Sequence, residues 1–131
     1  MTDKSRGRVL IVDNSEDVLA RLGSALAAAG YATETTWSGV EALNLLQSGD
    51  FDSLIVDNYV PDSYVGELLD RIVALKLPLR IILMQRKPAQ HLRSHGPKFV
   101  AVVDKMRLGH IVAVLANQHA LGVTSPDSWL H

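Results

Sequence analysis

Short apolar runs alternate with amphipathic segments along this chain. Apolar runs rich in β-branched residues predict strands, and apolar residues spaced three and four apart predict helices. The runs predict five strands, at residues 8–12, 31–37, 52–56, 79–84 and 99–103. The intervening and final segments predict five helices, at residues 16–29, 39–49, 67–76, 88–96 and 108–121. The pattern is therefore a strand–helix unit repeated five times.

The character of the strands predicts how they are arranged. Four of them, all but the second, are apolar throughout, which is typical of strands buried on both faces. A strand–helix repeat with such strands indicates an α/β sandwich, in which helices cover both sides of a parallel sheet. The second strand alternates polar and apolar residues, so we place it at an edge. A chain of 131 residues is expected to form one domain, here residues 7–121, with residues 122–131 as a tail or the start of a linker.

The composition of the chain excludes several classes of protein. The chain has 47% hydrophobic residues, 21% charged residues and no cysteine, which excludes disulfides and thiolate metal sites and fits a reducing compartment. No apolar run reaches the roughly 18 residues of a membrane span, and the N-terminus lacks the apolar core of a signal peptide. The formal net charge of −1 gives no general attraction to nucleic acid. We expect a cytoplasmic protein, and we do not expect direct binding to a membrane or to nucleic acid.

The pentapeptide LIVDN occurs twice, and each copy ends a predicted strand at an acid, Asp13 or Asp57. In open parallel sheets, ligands bind beyond the carboxyl ends of the strands, so both carboxylates are expected in one crevice. Lys105 follows the fifth strand and is expected to reach the same place. Two carboxylates beside an ammonium suit Mg²⁺ and a phosphoryl group. The sequence contains no glycine-rich nucleotide-binding motif.

The strand ends VLIVDN, FDSLIVDNYVP and VVDKM, in this order, resemble those of the response-regulator receiver domains. The resemblance covers residues 7–121 and implies a flavodoxin-like (βα)5 sandwich with the strand order 2-1-3-4-5. It implies that Asp57 accepts a phosphoryl group from a phosphohistidine with Mg²⁺ present, and that Lys105 pairs with this group. It also implies that Asp13 and Asp57 bind the metal together with the main-chain carbonyl of Tyr59.

Four residues depart from the pattern of that family. Asn14 stands where the family has a second metal-binding acid, and its amide adds no charge, so we expect weak Mg²⁺ binding. We place Met84 where the fourth strand of the family ends in a phosphoryl-binding hydroxyl, which would bring bulk to the mouth of the crevice. Val102 replaces the aromatic residue of the family's switch, and Met106 replaces the proline that follows the lysine.

Asn14 also has a structural interpretation. With Asp17 three residues later, it resembles an N-cap that begins the first helix. The two roles are compatible, because a cap can still offer its amide oxygen.

Two functions follow from these observations. The first is an atypical receiver domain of a two-component phosphorelay, a phosphoacceptor domain and not an enzyme, which is phosphorylated by a sensor histidine kinase or a phosphotransfer protein. The second is a pseudo-receiver that acts as an interaction or dimerisation module without phosphorylation. The retention of Asp13, Asp57 and Lys105 favours the first function, and the four departures favour the second. A metal-dependent phosphatase would need an acid at the position of Tyr59.

The resemblance also implies a surface for partners. In the family, contacts with effectors or with a second copy use the face formed by the fourth helix, the fifth strand and the fifth helix. Basic residues gather around the fourth predicted helix, at Arg86, Lys87, Arg93 and Lys98. We expect a homodimer or effector contact on this face.

Overall fold

The computed structural model describes residues 6–58, 65–85 and 101–121. In chain order the elements are β1 (Arg8–Val12), α1 (Glu16–Ala28), β2 (Ala32–Thr36), α2 (Gly39–Ser48), β3 (Ser53–Asp57), α3 (Val65–Ala74), β4 (Arg80–Gln85), β5 (Ala101–Asp104) and α4 (Leu108–Leu121). The helix predicted at residues 88–96 and the tail at residues 122–131 lie outside the described residues. Within the described part of the chain, no helix is long and apolar enough to cross a membrane.

The described strands pair in parallel and form one sheet with the order β2-β1-β3-β4-β5. The predicted fold class and strand order are confirmed. The alternating strand, β2, lies at an edge, and Thr36 is its one buried residue. The strand order changes direction between β1 and β3, which is the point where open α/β sheets bind their ligands. A ligand site is therefore expected at the carboxyl ends of β1 and β3.

The two faces of the sheet form separate hydrophobic cores. Side chains alternate along a strand, so neighbouring residues of β1 and β3 face opposite layers. Ile11 and Ile55 pack in the core under α1 and α4, whereas Leu10 and Leu54 pack in the core under α2 and α3. The helices contribute Leu22, Leu26, Ile111 and Leu115 to the first core, and Leu46, Leu68, Leu69 and Ile72 to the second. Each such side chain contributes about 1.5–3 kcal/mol when fully buried, which holds the strand ends in place.

Serine side chains begin helices α1 and α2. Ser15 Oγ accepts a hydrogen bond from Val18 N at 3.2 Å, and Ser38 Oγ accepts one from Glu41 N at 3.0 Å. The interpretation of Asn14 as the cap of α1 is therefore wrong. Ser15 has the extended backbone of an N-cap residue, with φ −101° and ψ 114°, so its hydroxyl is the one that faces the first amides of the helix.

Helices α1 and α3 end in the same hydrogen-bonded motif with different residues at its left-handed position. These residues are Gly30 and Lys76, with φ of 102° and 56°. In both motifs, the N–H of the left-handed residue donates to the carbonyl three residues earlier. The N–H of the following residue donates to the carbonyl five residues before itself, and the N···O distances are 2.9 to 3.3 Å. This is a Schellman motif, in which glycine is favoured at the left-handed position. The Cβ of Lys76 is crowded by the backbone in this conformation, which destabilises the conformation by roughly 1–2 kcal/mol.

Replacing Lys76 with glycine is expected to raise the free energy of unfolding by about 0.5–1 kcal/mol, because glycine adopts a positive φ without a clash. Lys76→Ala removes the same charge but keeps the Cβ, so it serves as the control and should change stability by less than about 0.5 kcal/mol. Urea denaturation followed by circular dichroism measures both. Equal stabilities for the two variants would contradict the assignment of strain to this residue.

Candidate functional site

The carboxyl edge of the sheet brings three charged side chains together. Asp13 directly follows β1, Asp57 is the last residue of β3, and Lys105 directly follows β5. Their exposed fractions are 1%, 5% and 4%. Charged residues are rarely buried to this extent unless they are paired. Their burial at one edge therefore marks a defined electrostatic site.

The Lys105 ammonium bridges the two carboxylates. Its Nζ lies 3.0 Å from Asp13 Oδ2 and 3.2 Å from Asp57 Oδ1, and it donates a hydrogen bond to Asp13 Oδ1 at 3.2 Å. Asp13 Oδ1 accepts a second hydrogen bond from Ser15 N at 2.8 Å. Two acids that would repel each other are thus held by a single cation, and one carboxylate remains in excess of the positive charge.

Main-chain hydrogen bonds fix the backbone of the site just beyond the strands. Asp13 N donates to Thr36 O at 3.1 Å, and Lys105 N donates to Gln85 O at 2.8 Å. The amide of the residue after Asp57 donates to the main chain of β4 at 2.9 Å. The ladder of the sheet therefore extends one residue past β1, β3 and β5. The charged side chains are positioned by the rigid sheet, which favours a preorganised site.

The oxygen atoms of the site fit a hard divalent cation. Asp13 Oδ2 is buried and accepts no hydrogen bond within the described part of the chain, although the ammonium lies 3.0 Å from it. Asn14 is exposed next to Asp13, and its amide oxygen is a suitable ligand for Mg²⁺. The described residues include no group of three His, Cys, Asp or Glu side chains placed to hold a metal. A metal would therefore rely on Asp13, Asp57, Asn14 and main-chain carbonyls; Tyr59 lies outside the described residues.

Strand β4 ends one residue later than its sequence pattern predicted. It continues through Gln85, because Gln85 pairs with Asp104 of β5. Met84 is wholly buried in the core under α1 and α4. The expectation that Met84 places bulk at the mouth of the crevice is therefore wrong, and Gln85 occupies the strand end. The sequence carried the signal, since Gln85 is the first polar residue after an apolar run, the same feature that pointed to Asp57.

The other departures from the family pattern occupy different environments. Val102 is half-buried and packs against the core under α2 and α3. Met106 is 69% exposed, and its amide donates a hydrogen bond to Asp104 Oδ1 at 2.9 Å. Asp104 thus has a local partner in the turn after β5.

Comparison with known proteins gives a match to one family model. The model is that of the response regulator receiver domain, and it matches residues 9–105, well over half of the chain. Among curated proteins, the response regulator SaeR of Staphylococcus aureus is 30% identical over 83 residues, which are 63% of this chain and 36% of that protein. The chain thus spans about a third of the length of this relative.

Solved structures give matches of the same kind. The response regulator TrrA of Thermotoga maritima, determined in complex with Mg²⁺ and BeF, is 32% identical, with a TM-score of 0.56 over 60% of this chain and 68% of that one. A CheY-like receiver domain protein of Methanospirillum hungatei is 20% identical, with a TM-score of 0.70 over 88% of this chain and 98% of that one. At that identity, the second similarity supports the fold alone.

Removal of the bridging cation is expected to destabilise the fold strongly. Lys105→Met leaves two buried carboxylates without their cation, which should lower the free energy of unfolding by about 3–5 kcal/mol. Arg21→Met is the control, because Arg21 forms an exposed pair with Asp17 at 3.4 Å, and its loss should cost less than about 1 kcal/mol. Denaturant melts of both variants give the comparison. A loss for Lys105→Met no larger than that of the control would contradict the electrostatic account.

Proposed function

The chain belongs to the response regulator receiver domain family, whose members are signalling modules of two-component systems, and we propose that it accepts a phosphoryl group on Asp57. The observation that carries this proposal is the Lys105 ammonium, which lies 3.2 Å from Asp57 Oδ1 at the buried edge of the sheet. A cation held in position before the reaction stabilises developing negative charge without reorganising. Asp57 is thus a nucleophile with its electrostatic partner beside it.

The proposed reaction transfers the phosphoryl group from a phosphohistidine of a sensor histidine kinase or a phosphotransfer protein. A carboxylate oxygen of Asp57 attacks phosphorus, and the new O–P bond forms as the N–P bond breaks and returns its electron pair to the imidazole. Lys105 exchanges its contact with Asp57 for one with a phosphoryl oxygen, a stronger charge-assisted pair. Asp13 keeps its position because Ser15 N holds its Oδ1 at 2.8 Å. The domain serves as the acceptor and, in this proposal, is not an enzyme.

Mg²⁺ is the proposed cofactor, with Asp13, Asp57, Asn14 and the carbonyl of Tyr59 as ligands. When bound, it would neutralise charge on the carboxylates and on the phosphoryl oxygens. The Thermotoga protein at 32% identity was solved with Mg²⁺ and a beryllium fluoride, which supports looking for the same chemistry here. Asn14 is neutral and Lys105 already lies between the acids, so the affinity for Mg²⁺ is expected to be weak.

An interaction module that works without phosphorylation is the second candidate. The observation that favours it is the same bridge, since Lys105 lies 3.0 to 3.2 Å from both acids and holds them together without a ligand. Such a module would act through contacts with an effector or a second copy, on the face that includes β5 and α4. A cytoplasmic location belongs to both candidates as a proposal drawn from the family.

Beryllofluoride, an analogue of the phosphoryl group, distinguishes the two candidates. We expect a Mg²⁺-dependent adduct in the wild type and none in Asp57→Asn, because the variant lacks the carboxylate oxygen that binds beryllium. Asp50→Asn, which alters an exposed acid outside the strand, is the control and should form the adduct. The adduct is detected by ¹⁹F NMR and by amide shifts at the ends of β3 and β5. Its absence in the wild type at saturating Mg²⁺ would leave the interaction module as the function.

Restoring an acid at residue 14 should strengthen metal binding. Asn14→Asp adds a carboxylate next to Asp13, so we expect the dissociation constant for Mg²⁺ to fall by about tenfold or more, equivalent to about 1.4 kcal/mol. Asn44→Asp makes the same change of charge at an exposed residue of α2 and should leave the constant unchanged. Titration with Mg²⁺ followed by amide chemical shifts measures both. An equal affinity in the two variants would remove Asn14 from the proposed ligand set.

A further inference from the structure

Helices α2 and α3 cover the same face of the sheet and leave a groove of about 330 Å³ between them. Its apolar lining comes from both helices. Leu68 of α3 is buried and Leu43 of α2 is half-buried, so these two side chains form an apolar recess. Val40, in the first turn of α2, also lines the groove but is 59% exposed. The groove therefore combines an apolar recess with an apolar side chain that is open to solvent.

The charged residues that line the groove are one acid and one base, Glu67 and Arg71 of α3. Both are exposed, and because they are four residues apart they lie on the same side of the helix. Neither forms an ion pair with another residue in the described part of the chain. The groove thus carries no net charge, and it presents both signs one helical turn apart.

We propose that this groove binds a second copy of the chain. In a two-fold dimer both copies use the same surface, so each contact occurs twice. If the two α3 helices lie antiparallel, Glu67 of each copy faces Arg71 of the second copy. The apolar side chain of Val40 then packs into the recess of the second copy. The inference goes beyond the transfer of a phosphoryl group, does not depend on it, and concerns a face other than that of β5 and α4.

The remaining polar residues of the groove also match a second copy. Asn44 and Gln47 line it from α2, and a carboxamide both donates and accepts hydrogen bonds, so it can pair with its own kind. Nucleic acid or a highly charged peptide requires an excess of one sign of charge, which Glu67 and Arg71 do not provide. A small apolar ligand would fill the recess but leave both charged groups without partners. Self-association is therefore the occupancy that uses all of these groups.

Reversal of either charge is expected to weaken the dimer. Glu67→Arg leaves two cations on this side of α3 and Arg71→Glu leaves two anions, so two identical copies bring like charges together. The dissociation constant of each variant should rise by about a hundredfold or more. An equimolar mixture of the two variants should recover the affinity of the wild type, because the two cations of one chain then face the two anions of the other.

Two further variants separate association from folding. Asp70→Arg makes the same change of charge as Glu67→Arg at an exposed residue of α3 that does not line the groove, and it should dimerise like the wild type. Val40→Asp places an acid in the first turn of α2, which is favourable for the helix, but it puts a charge into the apolar contact. This variant should therefore remain folded and lose the dimer.

Sedimentation equilibrium of the whole chain up to millimolar concentration tests the proposal, with circular dichroism to verify that each variant is folded. A wild-type dimer that is lost in each charge reversal and recovered in their mixture supports it. A monomeric wild type overturns it, as does a dimer that the reversals and Val40→Asp leave unchanged, which would place the contact on another face. Loss in the single variants without recovery in the mixture overturns the antiparallel pairing of Glu67 with Arg71. None of these results bears on phosphorylation of Asp57.

Discussion

The ion bridge from Lys105 to Asp13 and Asp57 is the interaction on which the site depends. Moving a charged group from water into a protein costs several kcal/mol, and only close, well-oriented partners repay that cost. Lys105 lies within 3.2 Å of both carboxylates, and this distance requires the ends of β1, β3 and β5 to keep their register. The two apolar cores maintain the register of the strands, because they pack the sheet between two layers of helices.

The same bridge explains how the site can serve two kinds of protein. For a phosphoacceptor, it provides a nucleophile and a cation that are already in place. For an interaction module, it provides a closed cluster that tolerates the lack of any ligand. The cluster has one carboxylate in excess of its cation, and Asp13 Oδ2 accepts no hydrogen bond within the described residues; both features fit the proposed divalent cation. In the proposed set of metal ligands, Asn14 would add an oxygen but no charge.

The sequence predicts the parallel sheet and the charged cluster because both follow from strong patterns, whereas the strand order follows from the resemblance to the receiver domains. Uniformly apolar strands indicate a parallel sheet, and the first polar residue after each strand marks the carboxyl edge. Each error concerns a choice between two adjacent residues. Ser15 caps α1 in place of Asn14 because its backbone is the extended one, and β4 reaches Gln85 because β5 pairs with it. The cap depends on a dihedral angle that a periodic pattern does not contain, whereas the end of β4 was marked in the sequence by the first polar residue after the apolar run.

Intact-mass analysis of the chain after incubation with acetyl phosphate and Mg²⁺ tests the central claim most directly. The account predicts a gain of one phosphoryl group that requires Mg²⁺, is labile to hydroxylamine as expected of an acyl phosphate, and maps to the peptide containing Asp57. No gain of mass at saturating donor and metal would contradict it. A gain that maps to another residue would also contradict it, since the bridged carboxylate would then not be the acceptor.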